Sequence, residues 1–247
     1  MKIFAVTTLF FLATHSLIVQ AQENSTEDKV SQVEISSNKD PELRSYSQML
    51  KGLKVYTEKH QLAPNSELYF ILTPKSNSVS MQDLNMRLAS DNTSINIPID
   101  STGMFKLPFI ELKTENEYDL ILNKAKGLFR ITPYVKSANL PEDVKRLGDL
   151  RMECEVRWAI SKQDVSVIFL TYVKLLGSGN PCTSRAVAVG LITPKGVNSI
   201  TLDTPKSKFL FKVHSYETYS FPLWDTELND DGQIKYGRSD VTQKSSF

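Results

Sequence analysis

The chain has 247 residues, with 29 lysines and arginines against 28 aspartates and glutamates, and a mean hydropathy of −0.25. Near-neutral charge with interspersed signs excludes the basic footprint of a DNA- or RNA-binding protein, and no polybasic block points to an anionic membrane. The length suffices for one large hydrophobic core or two small ones.

Residues 1–21 read as a signal peptide. Lys2 is its positive start, Ile3–Val19 its largely apolar run, and Val19-Gln20-Ala21 a cleavage site after Ala21. Thr14, His15 and Ser16 interrupt that run, which makes it short for a membrane span. Cleavage removes one charge, Lys2, and leaves the signs balanced. No later segment is apolar enough to span a bilayer, so the expected address is periplasmic or secreted. Residues 22–40 are polar and aperiodic, a flexible leader.

Asp40-Pro41-Glu42 has the form of a helix start, and Leu43, Tyr46, Leu50 and Leu53 follow at helical spacing. The spacing predicts an amphipathic helix over 41–63. From Glu67 the period changes to two. Leu68–Leu72, Leu84–Leu88, Ile95–Ile99, Met104–Leu107, Tyr118–Leu122 and Leu128–Val135 read as strands, with a turn at Asp100–Gly103. They predict a Greek-key sandwich over 64–137.

A second antiparallel β domain is expected over 138–247, closed by a polar tail from Asn229. Its clearest strand is Leu150–Ile160: Leu150, Met152, Cys154, Val156, Trp158 and Ile160 alternate with Arg151, Glu153, Glu155 and Arg157. Val165–Leu175, Ala186–Thr193, Ser199–Leu202 and Lys208–Tyr216 are also strand-like. The fold class is therefore mainly β.

Cys154 and Cys182 read as a disulfide in an exported chain; two separate thiols are the alternative. Their spacing is not that of a redox motif. No phosphate loop, dinucleotide fingerprint or nucleophile elbow occurs, and no cofactor is expected. His60 and His214 are far apart in sequence and lack the spacing of a metal site. From Glu227, the residues Asn229, Asp231 and Gly232 match a calcium loop, but Arg238 stands where its last acid belongs; an Asp-Gly turn fits better, and no metal is expected.

Tyr216, Tyr219, Phe221 and Trp224 form an aromatic cluster that would bind a partner if exposed and fill a core if buried. Asn24-Ser-Thr26 and Asn92-Thr-Ser94 are glycosylation sequons in a eukaryotic host.

Ile97-Pro-Ile-Asp-Ser-Thr-Gly-Met-Phe-Lys-Leu-Pro108 resembles the strand–turn–strand of transthyretin-like and carboxypeptidase-regulatory-like sandwiches. Lys126–Arg130, Pro133–Lys136 and Arg146–Trp158 resemble segments of uncharacterised exported proteins of Gram-negative bacteria, which implies an envelope address and no catalytic residues. The function expected is a non-enzymatic binding or structural module of the envelope, with a protein or glycan partner and the oligomeric state left open. The alternative is a hydrolase of glycan, peptidoglycan or peptide, using Asp149, Glu153 and Glu155 beside Arg146 and Arg151.

Overall fold

The computed structural model describes residues 40–111, 118–176, 179–204, 207–214 and 218–238. The expected signal peptide and almost all of the leader lie outside them. The fold is mainly β, with antiparallel sheets throughout. Its first half is a sandwich. One sheet has the order β1-β6-β3-β4, from strands Pro41–Ser45 (β1), Asp119–Ala125 (β6), Met86–Ala89 (β3) and Ser94–Ile97 (β4). The other has the order β5-β2-β7, from Met104–Phe105 (β5), Ser66–Pro74 (β2) and Phe129–Ser137 (β7).

Both sheets feed one core. Phe70, Leu72, Phe129 and Val135 come from the second sheet, and Met86, Leu88, Leu120 and Leu122 from the first. The turn between β4 and β5 is built as its residues demand. The Asp100 carboxylate accepts hydrogen bonds from the Thr102 and Met104 amides at 2.8 and 2.9 Å. Gly103 has φ +87°, and a Cβ there would lie 2.8 Å from the Leu72 carbonyl oxygen. Burial pushes the Asp100 carboxyl up, but these hydrogen bonds together hold it below the usual carboxylate range.

The N-terminal helix begins later than its sequence signals predict. Residues 41–45 are β1, paired with β6, and the helix α1 is Tyr46–Glu58, followed by a 3-10 turn at His60–Leu62. The Glu42 carboxylate, expected in a first helical turn, instead accepts from the Gly127 amide at 2.5 Å. Sheet pairing overrides the local Asp-Pro-Glu preference. Tyr46, Met49 and Leu50 still bury one face of α1.

The largest correction concerns Leu150–Ile160. This segment is not a strand; it lies within the helix α2, Leu147–Ser161. Two residues turn a helix by about 200°, so alternate residues fall on opposite sides. Met152 and Val156 face the sandwich core, with Ile160 packed against it. Leu147, Leu150 and Cys154 face a second core, with Trp158 against it. A helix clamped between two cores carries two apolar stripes half a turn apart, which in sequence is an alternation.

The second core is closed by a sheet of order β11-β10-β13-β8: Lys208–Phe211 (β11), Val197–Asp203 (β10), Gln233–Arg238 (β13) and Val144–Arg146 (β8). A ribbon of Gly190–Ile192 (β9) and Thr218–Ser220 (β12) completes it. The expected polar tail thus contains a central strand. Ile234 and Tyr236 are buried in alternation with Gln233 and Lys235, a pattern legible in the residues themselves.

Val167–Leu175, expected as strand, is the helix α3. The Ser166 hydroxyl caps it, accepting from the Phe169 amide at 3.2 Å. The stretch is apolar nearly throughout, which does not distinguish strand from helix by period. Cys154 and Cys182 are bonded, with Cα atoms 5.8 Å apart, tying α2 to the 3-10 turn Pro181–Thr183.

Candidate functional site

The charged residues of α2 form two seams between its apolar stripes, and both are occupied. Along one seam lie Asp149 and Glu153, spaced i and i+4. The Glu153 carboxylate accepts from the Val135 amide at 2.7 Å, and that of Asp149 accepts from the Ser137 amide at 3.1 Å and the Ser137 hydroxyl at 2.7 Å. Four helical residues rise about 6 Å and two strand residues about 6.6 Å, so the spacings match. β7 is the edge of its sheet, and these carboxylates satisfy N–H groups that a neighbouring strand would otherwise take.

Glu153 also pairs with Lys145, whose ammonium lies 3.8 Å from the centre of the Tyr134 ring. Burial pushes the Glu153 carboxyl up, only partly opposed by Lys145 and the Val135 amide. Burial, then the charges of Glu153 and Asp149, push the Tyr134 phenol up to about 12. Tyr219 and Tyr236 pair through their hydroxyls at 2.8 Å, and burial raises both phenols.

Along the other seam, Arg151 organises the loop 223–230. Its Nε donates to the Leu223 carbonyl at 2.9 Å and its Nη1 to the Leu228 carbonyl at 3.0 Å; it also reaches the Asp225 carbonyl and the Asp230 carboxylate. Glu155 accepts from the Asn180 amide group at 2.9 and 3.0 Å and from Lys59 at 2.8 Å. Arg151, Glu155, Cys182, Trp224 and Asp230 line an open cleft of about 640 Å³. Its two most buried charges therefore brace the wall. A smaller depression of about 520 Å³ holds the sequon residue Asn92 on the β3–β4 turn.

No family model, curated protein or solved structure matches the chain.

The aromatic cluster does not form one surface. Tyr219 and Phe221 are buried in the second core. Trp224 lines the cleft under the Arg185 guanidinium, 5.2 Å from its ring centre. Tyr216 lies outside the described residues, as does Asn24. His60 and His214 are exposed, on the 3-10 turn and on an isolated bridge to Thr218. Among the described residues no group of three His, Cys, Asp or Glu side chains is placed to hold a metal ion. In the segment from Glu227 that partly matches a calcium loop, Asp230 pairs with Arg151, Asp231 pairs with Arg146, and Gln233–Arg238 is strand.

The strongest surface feature was not among the expected sites. Val167, Ile168 and Leu175 on α3 are 77, 82 and 81% exposed, and Tyr172 is half exposed. The inner side of α3 is held by buried Val173 and by Phe169, whose ring meets Trp158 edge-on at 6.4 Å. Ile168, Tyr172 and Leu175, at i, i+4 and i+7, form one outward stripe. A helix apolar on both sides is ordinarily buried on both. Reading Val165–Leu175 as a strand concealed this, because its face can be drawn only at helical period.

Proposed function

We propose that this protein is an exported, non-enzymatic binding module of the cell envelope, and that it engages its partner through the outer face of α3. The exposed apolar stripe Ile168–Tyr172–Leu175 carries the reading: contiguous exposed apolar surface marks interaction sites. The export part rests on the leader's sequence pattern and is supported by the disulfide. Kinship with exported Gram-negative proteins, and with transthyretin-like sandwiches for the first half, belongs to the same proposal.

Against hydrolysis weighs the engagement of all three candidate acids, Asp149, Glu153 and Glu155, in amide hydrogen bonds or ion pairs of the framework. The test is a photo-cross-linking side chain placed at Ile168 or Leu175 in exported protein, with exposed Ser94 on β4 as control. Adducts from both α3 positions and none from Ser94 are expected. Equal labelling at all three, or none, rejects the reading.

A further inference from the structure

We infer that the occupant of the α3 face is an anionic lipid surface; this rests on the binding role proposed for α3 and names its partner. Three observations favour it over a second copy or a protein. The segment 165–176 contains no acid, and its single charge is Lys174. At the other end of α3, the turn after α2 presents Lys162, exposed. Lys51 of α1 is fixed against that turn by its hydrogen bond to Gln163 at 2.6 Å. The one acid there, Asp164, accepts from Gln48 at 3.0 Å. Apolar residues framed by lysines complement anionic headgroups over an acyl layer.

Size is the third observation. A nine-residue helix is about 14 Å long and about 10 Å across, so its outer half offers roughly 220 Å². A standard protein interface buries about 800 Å² per partner. A fluid lipid surface requires no such area, because the helix sinks into the headgroup boundary and is covered there. Tyr172 places a ring with a polar tip at that depth. The lysines are dispersed in sequence, Lys51 reaching the turn after α2 only through its hydrogen bond to Gln163, so they form no polybasic run.

The experiment uses the oxidised chain from Gln22 onward, which retains every described residue and both cores. Flotation is measured with phosphatidylcholine vesicles and with vesicles containing 30% phosphatidylglycerol. Wild type is expected to float with the anionic vesicles and several-fold less with the neutral ones. Ile168→Asp/Leu175→Asp, on exposed positions, is expected to lower partition at least tenfold with an unchanged circular dichroism spectrum. Lys174→Glu is expected to lower only the anionic component, about fivefold.

No flotation of wild type, or equal flotation of the double aspartate variant, overturns the inference. Sedimentation equilibrium showing a dimer that the double variant abolishes also overturns it, with a second copy as occupant. Absence of lipid binding together with protein adducts at Ile168 and Leu175 defeats the lipid inference while leaving the binding role of α3 standing. Absence of both defeats both.

Discussion

Lys145→Met tests the buried seam most directly. The substitution preserves much of the stem's bulk and removes the charge, leaving Glu153 to accept the Val135 amide alone. Both side chains are largely buried, so this is a broken interior pair rather than a surface one. The expected cost is about 3–5 kcal/mol at neutral pH. Against a total of about 5–15 kcal/mol, the melting temperature should fall by about 6–20 °C.

The pH dependence fixes the mechanism. The Glu153 carboxyl is raised in the folded state, so its contribution to stability is complete below the unfolded-state value and is lost as pH rises through the folded-state value. Without Lys145, which opposes that rise, the folded value climbs further. The deficit of the variant should therefore open above the ordinary carboxylate range and shrink at pH 4.5. Urea unfolding of both proteins at pH 7.5 and pH 4.5 measures it. Adding Glu153→Gln to Lys145→Met retains the acceptor for Val135 without the charge, and should recover about half of the loss or more. A cost below about 1 kcal/mol at pH 7.5, or one of equal size at both pH values, would refute the argument.

Three further outcomes follow from particular contacts. Replacing both Cys154 and Cys182 by alanine should cost about 3.5 kcal/mol, from the entropy of a loop with separation 28, read as a shift in the urea midpoint; an unchanged midpoint contradicts it. Gly148→Ala places a Cβ 2.0 Å from the Leu62 carbonyl oxygen, so α2 must move and about 1–3 kcal/mol should be lost; calorimetry showing full stability would indicate that this contact yields freely. Tyr219→Phe strands the buried Tyr236 hydroxyl at a cost of about 1–3 kcal/mol, whereas the double variant with Tyr236→Phe should be less destabilised than the sum of the single ones; strict additivity in the cycle would show the two hydroxyls to be uncoupled.

The first half of the chain was the more legible. Its strands are half-buried at period two, and Asp100–Gly103 carries its turn chemistry locally, so the strands β2 to β7 lie close to where the pattern places them. The disulfide was legible for a different reason: in a chain read as exported, bonding is the default for two cysteines. The site was hardly legible at all. Tyr219 and Phe221 look identical in sequence whether they bind or pack, and Trp224 reaches a cleft only because Arg151 draws the loop 223–230 around itself.

What the residues alone determined was the balance of charge, the presence of two cysteines, the mainly β class and the local turns, since each depends on composition or on neighbours a few positions away. Tertiary structure decided the rest, and α2 shows why. Alternation along 150–160 is compatible with a strand buried on one face, where every second residue returns to the same side, or with a helix buried on two opposite faces, where about 200° of rotation per two residues sends successive apolar residues to opposite sides. Only the presence of two cores, one contributed by the sandwich and one by the sheet of β8, β10, β11 and β13, selects the helix. The outward stripe on α3 exists for the same reason: a face is defined only once the opposite side has been packed.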